Sequence, residues 1–108
     1  MTINVLSPQV SVSGQIQVAD LNLLADQGVE VIVCNRPDNE DQPQPTFAEI
    51  ASAAETLSME AYHIPFSGGD FTAEHVKQLK SLLDTGKKIH AYCRSGNRSS
   101  ILWNAAKS

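Results

Sequence analysis

Apolar and polar side chains alternate over residues 10–16, VSVSGQI. A period of two belongs to a strand with one wet face, so a short edge strand is expected here. From Val18 to Gln27 the spacing lengthens to that of a helix. Leu21, Leu24 and Ala25 share one face, Asp20 sits in the first turn and Gly28 follows the end. Residues 29–35, VEVIVCN, are β-branched and nearly continuous in apolarity, the pattern of a strand buried on both faces of a parallel sheet. The stretch 36–45, RPDNEDQPQP, holds three of the five prolines and three acids, and predicts a loop. Thr46 with Glu49 forms a capping-box pattern that opens a helix through about Ser58. AYHIPF, 61–66, reads as a second short strand and SGGD, 67–70, as a turn. Thr72 is placed to cap a third helix with Val76, Leu79, Leu82 and Leu83 as its buried stripe, and Gly86 ends it. KIHAYC, 88–93, is the next strand. After the loop RSGN the chain turns helical again from about Arg98. Strands and helices in alternation predict an α/β fold: a mainly parallel central sheet flanked by helices on both faces, in a single domain over 1–108.

Composition narrows the function classes. A chain of 108 residues, 42% hydrophobic and 19% charged, suits one soluble domain. The net charge of −4 argues against a broad nucleic-acid-binding surface, so any grip on an anion must be local. No apolar run is long enough to cross a membrane, and MTINVLSPQV lacks the basic and apolar regions of a secretory signal. Two cysteines make no disulfide framework, and the expected location is the reducing cytoplasm. The chain stops soon after its last helix begins, which leaves room for a partner domain.

One of those cysteines lies in AYCRSGNRSS, residues 91–100. Ligands of parallel α/β folds sit beyond the carboxyl ends of the strands, which is where Cys93 falls. Backbone N–H groups of the turn and the start of the following helix can converge there on negative charge. A cysteine in such a place is expected as a thiolate nucleophile, with its pKa lowered to about 3.5–7.5. Arg98 adds a planar fork for two oxygens, Gly96 lets the backbone curl inward, and Ser99 carries a hydroxyl within reach of the sulfur. Arg94, Ser95 and Asn97 complete the candidate anion-binding loop. The plain alternative is a buried cysteine before a basic turn. Two arginines around a glycine at a strand–helix junction favour the cradle.

The motif CRSGNRS, with four residues between Cys93 and Arg98, resembles the active-site loop of the rhodaneses, which are sulfurtransferases. The segments VSGQI, NRPDNEDQPQP, FAEIASAAETL, YHIPF and CRSGNRS with SILWNAA, in that order, resemble a different family along nearly the whole chain. It is the phosphatase-like domain of the beta-lactamase hydrolase-like proteins. That resemblance implies the fold of the dual-specificity and tyrosine phosphatases and a cysteine-phosphatase site. It also implies a general acid on a loop comparable to SGGD, which makes Asp70 the candidate to protonate the leaving alcohol. Two departures matter: tyrosine phosphatases place five residues between cysteine and arginine, and a histidine where Tyr92 stands. A shorter loop makes a smaller cradle, suited to a small sulfur donor.

Arg36, Pro37 and Asp38 follow the strand VIVCN and should share the sheet end with Cys93. Arg36 is a candidate substrate ligand and Asp38 a second acid candidate, against the bland reading of a proline-stiffened loop. Cys34 reads as a buried hydrophobe, or as a resolving thiol if its strand neighbours that of Cys93. His63, His75 and His90 have no metal-ligand spacing and read as core or surface histidines; His90, close to Cys93, is a lesser candidate to orient it. No cofactor is called for. Three functions follow: a cysteine-dependent phosphatase, a sulfurtransferase carrying a persulfide on Cys93, and a non-catalytic anion or oxidant sensor. The expected partner is a small oxyanion, a phosphoester or a sulfane-sulfur compound, with neither nucleic acid nor membrane. Oligomeric state stays open.

Overall fold

The computed structural model describes residues 2–107. The outermost positions of the expected domain, 1 and 108, lie outside the described residues. In chain order the elements are β1 (Asn4–Val5), β2 (Val10–Ser13), a 3-10 turn (Val18–Asp20), α1 (Leu21–Asp26), β3 (Val31–Cys34), α2 (Phe47–Thr56), β4 (Glu60–His63), α3 (Ala73–Leu83), β5 (Ile89–Tyr92) and α4 (Asn97–Ala106). They build a five-stranded sheet in the order β1-β2-β5-β3-β4. β2, β5, β3 and β4 run parallel, and β1 alone is antiparallel, against β2.

Alternation along the central strands feeds two cores. Val31 and Val33 of β3, with Ile89 and Ala91 of β5, face one core, which Leu79 of α3 and Leu102 of α4 complete. Ile32 and Cys34 of β3, with Tyr92 of β5, face the other, closed by Leu21 and Leu24 of α1 and Ile50 of α2. Helices therefore cover both faces, as expected, and a strand buried on both sides needs the unbroken apolar run of VIVC.

Three expectations change. VSVSGQI is not an edge: β2 lies inside the sheet with all four residues buried, and β1 forms the edge beyond it, with Val5 75% exposed. Its polar positions are dry. Ser11 and Ser13 each bond a ring nitrogen of the buried His90, both at 2.8 Å. The period of two marks a polar seam within the protein. The helix expected over 18–27 is divided, because Asp20 Oδ2 accepts the Gln17 N–H at 2.8 Å and tightens the first turn to 3-10 form before α1 begins. The two-residue β1 is an addition, too short to carry a period. No helix among the described residues is long and apolar enough to cross a membrane.

Candidate active site

The parallel strands bring their carboxyl ends to one edge, and the candidate residues gather there. Cys93 follows β5 and is fully buried. Its N–H donates to the Ser13 carbonyl at 3.4 Å, so the end of β2 flanks the loop. The chain then turns through residues 94–96 into α4. Gly96 has φ +95°, a left-handed conformation that L side chains rarely adopt, and a Cβ there would stand 3.3 Å from the Ser13 backbone. This turn aims the Gly96 N–H at Cys93 Sγ, at 3.0 Å.

The sulfur's acidity follows from these contacts. Burial pushes the Cys93 thiol up, but the backbone N–H groups of Ser99, Ser95 and Gly96 and the Ser99 hydroxyl outweigh it, leaving the pKa below its ordinary value. The Ser99 hydroxyl also donates to Asn35 Oδ1 at 2.8 Å; having one hydrogen, it serves one acceptor at a time.

Arg98 is 9% exposed. Its Nη1 donates to Glu40 Oε2 at 2.9 Å and to the Phe66 carbonyl at 3.0 Å, and its Nη2 to Glu40 Oε1 at 2.6 Å. Of the five guanidinium hydrogens these bonds use three. The two left, on Nε and Nη2, share the other edge of the plane, which can take two oxygens side by side; Arg98 is also within hydrogen-bonding reach of the Cys93 sulfur. Arg98 in turn holds the Glu40 carboxyl below its ordinary pKa, so Glu40 is ionised at neutral pH and cannot serve there as a proton donor.

Arg36, 4% exposed, shares this sheet end as expected, but each of its three nitrogens is already engaged by a side chain. Nε meets Glu40 Oε1 at 3.0 Å, Nη1 meets Gln15 Oε1 at 2.9 Å and Nη2 meets Asp41 Oδ2 at 2.6 Å. Arg94 is exposed and pairs with the same Asp41 oxygen at 3.0 Å. Ser95 and Asn97 lie on the exposed side of the loop, where Ser95 Oγ accepts the Asn97 N–H at 3.3 Å.

The acid candidates separate. Asp38 Oδ1 accepts the Phe47 N–H at 2.8 Å and so anchors the start of α2. Asp70 stands exposed on the turn after Phe66, whose carbonyl touches Arg98. Among the described residues its carboxylate makes no hydrogen bond or ion pair with the cysteine loop.

Other candidates fall outside the site. The strands of Cys34 and Cys93 are neighbours, but Cys34 is in register with Tyr92 and packs with it on the α1–α2 face, while Cys93 continues the alternation from Ala91 on the other. Burial raises the Cys34 thiol, and Sγ donates to the Arg36 carbonyl at 3.3 Å. His90 does not orient Cys93 directly. They stand three positions apart, which puts them on opposite faces, and both its nitrogens are engaged by serines. His63 Nε2 donates to the Arg36 carbonyl at 2.9 Å, and His75 Nδ1 accepts the Thr72 N–H at 2.9 Å. Among the described residues no three His, Cys, Asp or Glu side chains gather as metal ligands.

Sequence reasoning missed Glu40, Asp41, Gln15, Asn35 and Ser13. The one signal for the acids was their density just after Arg36, at the sheet end where a cysteine loop with two arginines must find counter-charge.

A family model described as the phosphatase-like domain of the beta-lactamase hydrolase-like protein matches residues 2–108. The beta-lactamase hydrolase-like protein of Agrobacterium fabrum (strain C58 / ATCC 33970) is 28% identical over 99 residues, which are 91% of this chain and 23% of that protein. This chain thus spans under a quarter of that relative's length. The crystal structure of a candidate phosphatase from Neisseria meningitidis Z2491 is 34% identical and superposes with a TM-score of 0.85, covering 95% of this chain and 74% of that one. One from Shewanella putrefaciens CN-32, also a candidate phosphatase, reaches 0.83 at 20% identity, over 97% of this chain and 66% of that one. At that identity the likeness concerns the fold alone. The sheet and its helices are those of a cysteine-phosphatase-like fold.

Proposed function

The chain belongs to the family of the phosphatase-like domain of beta-lactamase hydrolase-like proteins, and on that premise we propose that it is a cysteine-dependent phosphatase with Cys93 as nucleophile. The observation that carries this reading is the Gly96 N–H donated to Cys93 Sγ at 3.0 Å, in a turn whose amides hold the thiol's pKa down. A thiolate placed among converging N–H donors both attacks phosphorus and sits where the phosphoryl oxygens need neutralising.

In the proposed reaction an S–P bond forms as the ester P–O bond breaks. The loop amides and the Nε–Nη2 edge of Arg98 hold the phosphoryl oxygens, and the leaving oxygen takes its proton from Asp70. Water then attacks phosphorus, Asp70 accepts its proton, and the S–P bond breaks to return the thiolate. Arg94, Ser95, Asn97 and Ser99 contribute the loop that surrounds the anion. Arg36 acts at one remove, by holding Glu40 and Asp41 against the site.

One observation favours a second reading. Only four residues separate Cys93 from Arg98, and the Asp70 carboxylate is exposed. Rhodanese-type transfer needs no acid: Cys93 attacks the outer sulfur of thiosulfate, the S–S bond breaks, and sulfite leaves with the electron pair.

Release of phosphate from para-nitrophenyl phosphate by the wild-type protein and by Cys93→Ser tests the first reading; activity lost in the variant is the expected result. Intact mass after incubation with thiosulfate tests the second. A gain of one sulfur atom that Cys93→Ser does not show, without phosphate release, would move the assignment to sulfur transfer.

A further inference from the structure

The segment Ser13–Gly14–Gln15, at the end of β2, is shaped to the cysteine loop at four points. The Ser13 carbonyl accepts the Cys93 N–H at 3.4 Å. The Ser13 backbone stands against Gly96, so closely that a Cβ there would lie 3.3 Å away. Gly14 lies against Arg94; a Cβ on it would come within 2.9 Å of the Arg94 carbonyl oxygen, a contact that real structures essentially never show. Gln15 donates its N–H to that same oxygen at 3.4 Å and offers its side-chain carbonyl to Arg36.

This segment is fixed from the other side of the sheet. Ser13 Oγ donates to the Gly14 carbonyl at 2.8 Å, which uses its one hydrogen. Its 2.8 Å contact with His90 Nε2 must therefore be a bond it accepts, so Nε2 carries the proton and Nδ1 accepts from Ser11. His90 is fully buried, and burial lowers its pKa to about 4, so the ring is neutral at neutral pH, as this pattern requires.

We propose that Ser13–Gly14–Gln15 is the mould that gives the cysteine loop its shape, and that His90, across the sheet, is the positioning residue that holds the mould in place. The inference rests on the reading of Cys93 as a loop-stabilised thiolate. It adds a second chain segment to the site, whose function is to keep the amides of Ser95, Gly96 and Ser99 aimed at the sulfur.

The test is the pH profile of Cys93 alkylation by iodoacetamide, followed by peptide-resolved mass spectrometry so that Cys34 is counted separately. Ser13→Ala cuts the link between His90 and the mould by removing one oxygen. Gly14→Ala drives a methyl into the Arg94 carbonyl. Each folded variant should titrate with a midpoint about one pH unit above wild type, as amides move off the sulfur. A merely structural role would lower the melting temperature and leave the midpoint in place. Should Gly14→Ala fail to fold, Ser13→Ala decides alone. A folded variant that keeps a depressed wild-type midpoint overturns this inference and leaves the phosphatase reading standing. A wild-type midpoint at the ordinary value of about 8.5 overturns the thiolate reading and this inference with it.

Discussion

Replacing Glu40 by glutamine keeps the length of the side chain and removes the charge that grips Arg98 by two nitrogens. The guanidinium then loses its fixed plane, and with it the aim of its Nε–Nη2 edge. On the phosphatase reading, kcat/KM for an aryl phosphate should fall by about 10²-fold, the scale of misplacing a catalytic group by an ångström, with the fold retained by circular dichroism. Arg98→Lys should cost kcat about 10²-fold or more, because an ammonium offers a point of charge where a planar fork is needed. Cys93, Gly96 and Arg98 are legible in the sequence because their chemistry is packed into six residues. Glu40 is not, since it lies 58 positions from Arg98, and Gln15 is 21 from Arg36. A hydrogen bond between distant positions leaves no period for a reader of the chain to find.

Capping is the chemistry that decides where α2 and α3 begin. The Thr46 hydroxyl accepts the Glu49 N–H at 3.2 Å, and that of Thr72 accepts the His75 N–H at 3.4 Å. Thr72→Ala should reduce unfolding free energy by about 1 kcal/mol in urea titration, without change in the denaturant slope. Both starts are legible from the residue type alone, and the strands β3 and β5 lie within the stretches expected for them, whereas β4 begins one residue before its expected stretch and stops at His63, three residues short of its end. β2 misleads for a definite reason: alternation reports that every second side chain is polar, and is silent on whether water or a buried imidazole satisfies it. The stripe of α3, in contrast, packs as its period predicts, with Leu79 buried and Val76, Leu82 and Leu83 against the same core.

For the whole molecule, His90 links stability to pH. Its folded pKa of about 4 lies below the ordinary 6.5, so between these values the unfolded chain binds the extra proton. The contribution is present in full above about pH 6.5 and is lost as the pH falls toward 4; that interval corresponds to about 3 kcal/mol. Urea denaturation at a series of pH values should show the slope, and His90→Gln should flatten it. Glu40 acts in a lower window. Its folded pKa is depressed by Arg98, so its contribution holds above the ordinary carboxyl value of about 4.3 and fades as the pH falls through the folded value below it. Parallel architecture was legible from the alternation of strands and helices, but the order β1-β2-β5-β3-β4 was not, because lateral neighbours are chosen by packing and not by local pattern.

That order also sets a timetable. β5, the last of the five strands to leave the ribosome, enters between β2 and β3, and both wait for it with a bare edge. Until then the nascent chain has two sheet fragments with nothing to join them and no cysteine loop. The sheet cannot close before β5 has been made, and the unpaired edges stay exposed to chaperones and to other chains meanwhile. A message cut short before residue 89 would give no half-active product, only a chain fit for proteolysis.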